Sequence, residues 1–464
     1  MKDNLTQKRK PELLMPASSL EVLKTAVAFG ADAVYIGGEA FGLRAKAKNF
    51  DPEEMAEGIA FAHAHGVKVY VTANILAHND DLAGAADYFV QLRDMKPQPC
   101  DALIISDPGM FSIAKRVWPS AEIHISTQAN NTNYETYLFW WELGAKRVVS
   151  ARELSVSELK TIREHIPQEM EIESFVHGAM CISYSGRCLL SNYFAGRDAN
   201  RGACTHPCRW KYTVMEETRP GEYMPVFENE RGTYIFNSKD LCMVGHIPEL
   251  VDAGIDSFKV EGRMKTALYV AAITRAYRRA IDDFFRSEEL YRENMGWYTA
   301  EVSKCTNRRY TTGFYFGRPD GNTQIYDSST YVNEYIYLGT VEEVCSRSAV
   351  GWRSDEESAA ATGRKPGEEG GSAVGQANVQ GSAFEAQDTW MARISQRNKF
   401  SVGDTVEIMR PDGKDEPAVV MAMYDEFGAP LENCPHPQQT IWLELSAKAE
   451  RYDLLRVENR KVSE

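Results

Sequence analysis

The first 285 residues alternate short apolar, β-rich runs with segments of helical periodicity, and this alternation constrains the fold more than any other feature. The runs are rich in Val and Ile and mostly continuous in apolar character, as buried parallel strands are. About eight such units predict an α/β protein with a TIM-like (β/α) barrel, with a doubly wound open sheet as the alternative. No G-x-G-x-x-G follows the first run, which argues against a Rossmann dinucleotide site. The predicted strands are Glu12–Pro16, Ala33–Gly37, Lys68–Ala73, Ala102–Ser106, Glu122–Thr127, Arg147–Ser150, Glu171–Val176 and Ser257–Val260.

Polar residues directly follow several of these predicted strands. In a (β/α) barrel the C-terminal ends of the strands carry the chemistry, so these positions are candidates for a functional face. Any one of them is equally well explained as a helix cap, and it is their recurrence that favours a site. They are Asn74, Asp107, Gln128, Asn130, His177 and Glu261.

The strand–helix alternation breaks twice along the chain. Between about residues 178 and 237 the periodicity disappears, which predicts an insertion at the catalytic face of a barrel that spans residues 1–290. After it we expect a β-rich connecting segment at 291–346, where tyrosines are frequent. Residues 347–388 are dominated by small residues and predict a flexible insertion. Short strand patterns then predict a small C-terminal β-barrel over 389–464.

Five of the nine cysteines fall inside the predicted insertion or just after it. They form no paired C-x2-C knuckle, as a zinc ribbon would, and no thioredoxin-type C-x-x-C. Scattered loop thiolates are suited to an iron–sulfur cluster. Two alternatives remain open, namely small buried residues and a nucleophilic cysteine. The five are Cys181, Cys188, Cys204, Cys208 and Cys242, one more than a four-thiolate site needs.

The N-terminal residues are charged and lack the apolar core of a signal peptide. No run of about 18 apolar residues occurs, so we expect no membrane span and a cytoplasmic location. Structural disulfides are disfavoured there, which supports a metal or catalytic role for the clustered cysteines.

The charge of the chain is uneven. Its net charge of −14 excludes a generally basic nucleic-acid binder. In contrast, the segment 197–212 (RDANRGACTHPCRWKY) carries four cations, among them Arg201 and Arg209, against one acid, and its Trp210 lies between cations. Cations neutralise phosphates and aromatic rings stack on unpaired bases, so this segment is a candidate RNA contact. A solvated charged loop is the alternative.

The segment ESFVHGAMCISYSGRCLLS, from Glu173 to Ser191, resembles the signature E-x-F-x2-G-[SA]-[LIVM]-C-x4-G-x-C-x-[LIVM]-S of the U32 peptidase family. The motifs GACTHPCRWKY, NSKDLC, FKVEGRMK and NKFSVGDTVEIM are also similar to those of the family. The likeness covers nearly the whole chain except about residues 347–388. The family name refers to collagenase-like activity, but the sequence contains no H-E-x-x-H and no G-x-S-x-G.

Other members of this family hydroxylate RNA or a quinone precursor with a [4Fe–4S] cluster. In length and tail domain the chain is most similar to the members that form 5-hydroxyuridine at the tRNA wobble position with prephenate as co-substrate. The resemblance therefore implies an RNA-modifying hydroxylase, the tRNA anticodon loop as partner, and a paralogue or homo-oligomer partner, since members can act in pairs. A U32-type peptidase and a non-catalytic RNA-binding protein with a structural cluster are the alternatives.

The same resemblance implies roles for individual residues. Cys181, Cys188 and Cys204 are implied as cluster ligands, and the fourth is Cys208 or Cys242. Three residues are implied as candidates for substrate contact or proton transfer, namely Glu173, His177 and Glu261. Orienting the cluster loop is the alternative role for Glu173 and His177. Arg263 and Lys265 are candidates for binding a prephenate carboxylate or an RNA phosphate, with a plain salt bridge to Glu261 as the alternative. Arg201, Arg209 and Trp210 remain candidates for RNA contact because of the local charge and aromatic character described above.

Overall fold

A computed structural model describes nine stretches of the chain and divides it into two units, Met1–Glu334 and Tyr335–Glu464. Most of the predicted flexible insertion at 347–388 lies outside the described residues. The described residues are 8–42, 49–181, 183–209, 213–214, 224–225, 237–319, 323–325, 332–350 and 390–459.

The first unit is built around a closed parallel barrel. The strands of the unit are β1 (Glu12–Pro16), β2 (Ala33–Gly37), β3 (Lys68–Ala73), β4 (Ala102–Ile105), β5 (Ile123–Ile125), β6 (Arg147–Val149), β7 (Glu171–Gly178), β8 (Thr213–Val214), β9 (Met224–Pro225), β10 (Asn237–Ser238), β11 (Asp240–Cys242), β12 (Ser257–Val260), β13 (Tyr310–Thr311) and β14 (Gln324–Ile325). The barrel consists of β1 to β7 and β12, and the other strands of this unit lie outside it. Strands β1 to β7 pair in chain order, and β12 closes the barrel by pairing with both β7 and β1. The prediction of a TIM-like barrel is therefore confirmed.

The helices of the first unit cover the outside of this barrel, except for α7 (Leu190–Ala195), which lies in the predicted insertion. They are α1 (Leu20–Ala28), α2 (Pro52–Ala64), α3 (Ala85–Arg93), α4 (Pro108–Val117), α5 (Tyr134–Glu142), α6 (Val156–His165), α7 (Leu190–Ala195), α8 (Ile247–Asp252), α9 (Ala267–Arg286), α10 (Glu288–Glu293) and α11 (Met295–Ser303). The N-termini of several of these helices are fixed by capping residues. Ser155 and Glu158 form the capping box of α6 that their spacing predicts, and Asp51 caps α2 directly before a proline. In the described part of the chain, no helix combines the length and apolar character that a membrane crossing requires.

The N-terminal end of the barrel interior is charged and internally paired. Arg147 Nη1 donates to Glu12 Oε1 at 2.6 Å and to Glu173 Oε2 at 3.0 Å, while Nη2 donates to Glu171 Oε2 at 2.6 Å. Lys259 Nζ donates to the other oxygen of Glu173 at 2.7 Å. All five side chains are largely buried, so this network links β1, β6, β7 and β12 in a low-dielectric interior.

The cysteine-bearing segment leaves the barrel at the end of β7 and returns beside its point of departure. Strand β11 pairs antiparallel with β7, with Leu241 opposite Gly178 and Cys242 opposite His177. Strand β13 then extends this edge by pairing parallel with β11. The segment is thus held at the C-terminal end of the barrel, where β7 ends.

The predicted β-rich connecting segment at 291–346 differs from the structure. Its first part is helical, because α11 and the second half of α10 lie there, and its last part is a strand of the second unit. Of the tyrosines that suggested strands, Tyr310, Tyr335 and Tyr337 do lie in strands, but Tyr298 fills a helix interface. It stacks on Tyr291 at 5.7 Å and donates to Asp283 Oδ2 at 2.7 Å. Aromatic side chains fill helical and sheet interfaces equally well, so their frequency did not identify the element.

The second unit is a closed antiparallel barrel of six strands, as predicted for the tail. Its strands are β15 (Tyr335–Ser346), β16 (Trp390–Ser395), β17 (Thr405–Met409), β18 (Glu416–Asp425), β19 (Thr440–Leu445) and β20 (Leu454–Glu458). The core contains Leu338, Ile394, Ile408, Val420 and Leu443. The barrel begins at Tyr335, earlier than the predicted boundary of 389, because β15 pairs with both β16 and β20 and so closes it.

Candidate active site

A cavity of about 160 Å3 opens at the C-terminal end of the first barrel. Its walls combine residues that end the barrel strands with residues of the cysteine-bearing segment. The strand-end residues are Tyr35, Thr72, Asn74, Ile104, Ser126, Thr127, Gln128, Arg152, Phe175, Lys259, Glu261 and Arg263. The other wall is formed by Ala179, Met180, Cys181, Ser185, Gly186, Cys188, Ala199, Cys204, His206, Pro207 and Cys208. This is the position where the fold predicts a site.

Four of the five clustered cysteines line this cavity, and the fifth lies behind it. Cys242 is not part of the cavity wall; Tyr277 Oη donates to its Sγ at 4.0 Å, and burial raises the pKa of its thiol to about 11. Its backbone nevertheless pairs with His177, four residues before Cys181. All nine cysteines are free thiols.

Side chains of the barrel hold the cysteine-bearing segment in place. Asn130 Nδ2 donates to the carbonyl oxygen of Ser185 at 2.9 Å, and its Oδ1 accepts from Arg187 Nε at 3.1 Å. Further along, Thr205 N donates to Ser191 Oγ at 2.9 Å, which links the neighbours of Cys188 and Cys204. These bonds bring thiols from distant sequence positions to one wall.

The thiols share this wall without converging on one point. Within the described ranges, no three His, Cys, Asp or Glu side chains have the arrangement that holds a metal ion. The donor set still fits an iron–sulfur cluster in kind and in place, since four free thiols face one cavity at the functional end of a barrel.

Three cationic side chains also reach the cavity. Arg263 is buried; Nη1 donates to Thr72 Oγ1 at 3.0 Å and Nη2 to Asn49 Oδ1 at 3.2 Å. Its guanidinium lies against Gly37, where a Cβ would stand 2.0 Å from Nη2, so only glycine fits at the end of β2. Lys259, which donates to Glu173 in the charged network of the barrel interior, has its Nζ 4.4 Å from the centre of the Tyr35 ring. The third cation is Arg152.

Arg152 joins three parts of the wall. Its Nη1 donates to the carbonyl oxygen of Ala179 at 3.0 Å, and its Nη2 donates to Glu261 Oε2 at 3.2 Å. The guanidinium carbon lies 4.0 Å from the centre of the Phe175 ring. Because Ala179 lies two residues before Cys181, Arg152 positions the start of the cysteine-bearing segment against the last barrel strand. The sequence analysis did not identify Arg152 or Lys259.

The sequence matches the family described as Peptidase family U32 over residues 18–325, and the description Peptidase family U32 C-terminal domain over residues 377–456. The chain belongs to peptidase family U32. It is 37% identical over 448 residues to tRNA hydroxylation protein P1 of Bacillus subtilis, covering 97% of this chain and 95% of the relative. It is 35% identical to tRNA hydroxylation protein P of Escherichia coli, covering 94% and 93% of the two chains. An uncharacterized protease of Methanocaldococcus jannaschii is 43% identical over 66% of this chain and 73% of its own.

Two of the predicted catalytic residues of this U32 protein do not reach the cavity. Glu173 is fully buried between Arg147 and Lys259; burial alone would raise its pKa, but these two cations lower it, so the carboxyl stays ionised inside the barrel. His177 turns toward α9, where Tyr277 Oη lies 3.4 Å from its Nδ1. Burial lowers the pKa of His177 to about 3. Glu261, the third candidate, does line the cavity.

The predicted binding residues of the U32 protein separate in a similar way. Arg263 reaches the cavity, whereas Lys265 donates to the carbonyl oxygen of Thr306 at 3.3 Å and does not line it. Arg201 is exposed and pairs with Asp81 at 2.5 Å. Trp210 and the side chain of Arg209 lie outside the described residues.

A feature that the sequence analysis missed lies on the same segment of this U32 protein. Several large apolar side chains around α7 are exposed, with Tyr193 at 82% and Leu189 at 74% of their full accessible area. Such exposure on a short segment next to a cavity is typical of a contact surface. A helix of six residues gives little periodicity, so no pattern in the sequence distinguished these side chains.

Proposed function

We propose that this U32 protein is a tRNA hydroxylase that converts the wobble uridine of the anticodon loop to 5-hydroxyuridine, with prephenate as co-substrate and a [4Fe–4S] cluster as cofactor. One observation carries the proposal: four thiols and three cations line a single cavity at the C-terminal end of a (β/α) barrel. The names of the relatives from Bacillus subtilis and Escherichia coli support tRNA as the substrate.

The cysteine-bearing segment supplies the ligands in this proposal. Cys181, Cys188 and Cys204 hold the cluster, and the fourth thiolate comes from Cys208 on the cavity wall or from Cys242 behind it. When bound, the cluster supplies the redox chemistry that the oxidation of an unreactive ring carbon requires and that protein side chains lack. Arg152 keeps the start of this segment in position through the Ala179 carbonyl.

The cations of the cavity match an anionic co-substrate. Arg152, Lys259 and Arg263 line one cavity in the barrel, where a carboxylate is partly shielded from bulk solvent and gains more from a guanidinium than it would in water. Prephenate carries two carboxylates. Arg263 is the strongest candidate for one of them, because its guanidinium is buried, lines the cavity and is held in place by Thr72 and Asn49.

Glu261 is the candidate for a proton-handling or orienting group. It lies on the cavity wall beside Arg152, which keeps the carboxylate in place at 3.2 Å. The base must enter the cavity to meet it, and a base of the anticodon loop is already unpaired.

The decisive experiment compares tRNA nucleosides from a deletion strain, in which any paralogue is also deleted, with those from the parent by mass spectrometry. We expect 5-hydroxyuridine and its derivatives to disappear and to return when the intact gene is supplied. Unchanged levels would rule out the tRNA assignment. Anaerobic purification gives the second measurement, in which we expect a brown protein with about four iron atoms per chain.

The two alternatives give different results in the same preparations. A U32-type peptidase would cleave gelatin or casein in a manner that depends on the cavity residues, and the nucleosides of the deletion strain would be unchanged. A non-catalytic RNA-binding protein with a structural cluster would bind the anticodon loop and carry iron, but would also leave the nucleosides unchanged.

A further inference from the structure

Gln128 places a buried side-chain amide on the cavity wall. Its side chain is 6% exposed, and its Oε1 is buried without a hydrogen-bond partner. In contrast, Thr127 Oγ1 donates to the carbonyl oxygen of Ser150 at 3.0 Å, and Asn74 Nδ2 donates to Ser126 Oγ at 3.2 Å. The backbone of Gln128 is also bonded, since its carbonyl oxygen accepts from Asn130 Nδ2 at 3.0 Å.

A buried carbonyl oxygen without a donor is costly, and proteins tolerate few of them. This oxygen belongs to the amide of a residue that lines the cavity, so a ligand can bring the donor that the protein lacks. A primary amide offers an acceptor and a donor side by side. The ligand that matches it presents a donor and an acceptor on adjacent atoms.

The amide also touches the cysteine-bearing segment. A Cβ at Gly186 would lie 2.0 Å from Gln128 Oε1, so the amide packs directly against this glycine, whose φ of +73° is itself unfavourable for other residues. Asn130, two residues after Gln128, holds the neighbouring Ser185 carbonyl. The loop between Cys181 and Cys188 is therefore fitted over this amide, which places Gln128 next to the thiols.

We propose that Gln128 recognises the target base by its Watson–Crick edge, with Oε1 accepting the N3–H of uracil and the amide NH2 donating to an adjacent ring carbonyl oxygen. This inference rests on the proposed function, because it names the group that recognises the substrate of that reaction. It assigns Gln128 a role in specificity, and no bond to the base is made or broken there. Enzymes that act on an extruded base recognise it in this way.

Gln128→Leu tests the proposal, because leucine keeps most of the volume and removes both polar atoms. No hydrogen bond of Oε1 is lost, so we expect the melting temperature to stay the same or rise. We expect kcat/KM for a uridine-containing anticodon stem-loop to fall about 100-fold, since the base loses its partners. An unchanged kcat/KM would overturn the proposal, and so would a markedly lower melting temperature, which would show that the amide is bonded within the protein.

Gln396→Leu is the matched control. Gln396 is also buried and its Oε1 likewise has no partner, but it does not line the cavity, and its Nε2 donates to the carbonyl oxygen of Cys434 at 3.0 Å in the second unit. We expect this variant to lose stability and to keep kcat/KM at temperatures where it is folded. Gln128→Leu should therefore lose activity and keep its stability, whereas Gln396→Leu should lose stability and keep its activity.

A second measurement isolates the bond to N3–H. Binding of an anticodon stem-loop with 3-methyluridine at the wobble position is compared with binding of the uridine form. We expect the methyl group to weaken binding to the parent protein about 10-fold and to have little effect on Gln128→Leu. Equal losses for both proteins would overturn the proposal. If the parent protein hydroxylates no uridine at all, the proposed function fails; if parent and variant hydroxylate it equally, only the role of Gln128 fails.

Discussion

The two ends of the first barrel differ in how far their buried polar groups are paired within the chain. At the N-terminal end, Arg147 and Lys259 satisfy the carboxylates of Glu12, Glu171 and Glu173. At the C-terminal end, four free thiols line a cavity together with an amide oxygen that has no partner. A network that is complete within the chain stabilises the fold, whereas unsatisfied groups are available to a ligand. The comparison therefore separates structural from functional polar residues in a way that residue type does not.

The largest effect is expected from Cys181→Ser at the cavity end. We expect most of the iron and the visible absorbance of the anaerobically purified protein to be lost, and hydroxylated product to fall to background, because three thiolates hold a cluster poorly. Cys345→Ser in the second unit is the matched control and should keep both. A Cys181→Ser protein with full iron content would contradict the ligand assignment.

The fourth ligand is identified by Cys208→Ala and Cys242→Ala in the same assay. One of the two variants should behave as Cys181→Ser does, and the other should keep its iron. If both keep it, the thiols of the cavity are not a four-cysteine site.

At the N-terminal end of the first barrel, Arg147→Met should lower the free energy of unfolding. The substitution leaves up to three buried carboxylates without their main partner, and breaking a buried ion pair in this way costs about 3–5 kcal/mol. Urea unfolding monitored by circular dichroism measures the loss, and Arg147→Lys should recover part of it. A change below about 1 kcal/mol would show that this network is not structural.

The acid dependence of stability gives a finer test of the same network. Burial alone would raise the pKa of Glu12, but the Arg147 guanidinium lowers it to about 2. A carboxyl with a lowered pKa in the folded state contributes stability above its unfolded value near 4.5, and loses it as the pH falls through about 2. Glu12→Gln should therefore be less stable than the parent at pH 7, by on the order of 3 kcal/mol.

This difference should shrink below pH 4.5 and vanish near pH 2. Unfolding free energies of both proteins at pH 7, 5 and 3 check the expectation. A difference that stays constant with pH would mean that Glu12 acts through packing and not through its charge.

The smallest effect is expected from the exposed side chains beside the cavity. Tyr193→Ala should weaken binding of an anticodon stem-loop about 10-fold, since stacking of one base contributes about 1–3 kcal/mol. The dependence of affinity on salt should stay the same, because no charge is removed. Phe139→Ala is the control, as Phe139 is also exposed but lies on α5. Equal affinities for both variants and the parent would exclude Tyr193 from the RNA contact.

The sequence predicts the scaffold well because its signals are local. Apolar runs identified all eight barrel strands, and β1, β2, β3 and β12 have the predicted bounds. The direction of a side chain depends on register, which is not local. The register between β7 and β12 shifts between Lys259 and Val260, and His177, which pairs with Val260, turns toward α9. Lys259 reads as an ordinary strand residue in the sequence, yet it faces the cavity.

The satisfaction of hydrogen bonds is also invisible in the sequence. Gln128 and Asn130 both follow β5 and are equally polar, but one has a buried oxygen without a partner and the other holds a distant loop. Only the three-dimensional arrangement separates these two roles. For the same reason the clustering of the cysteines indicated a site, but the sequence did not decide which four of the five would form it.

The antiparallel pairing of β11 with β7 has an evolutionary consequence. The segment that follows Gly178 returns to the barrel at Leu241, which pairs with Gly178. The two ends of the segment are therefore neighbours on the barrel. The entropic cost of closing such a loop grows by only about 0.6 kcal/mol for each doubling of its length. The segment can therefore change in length without rebuilding the barrel. A single scaffold is thus able to present different recognition surfaces for different substrates.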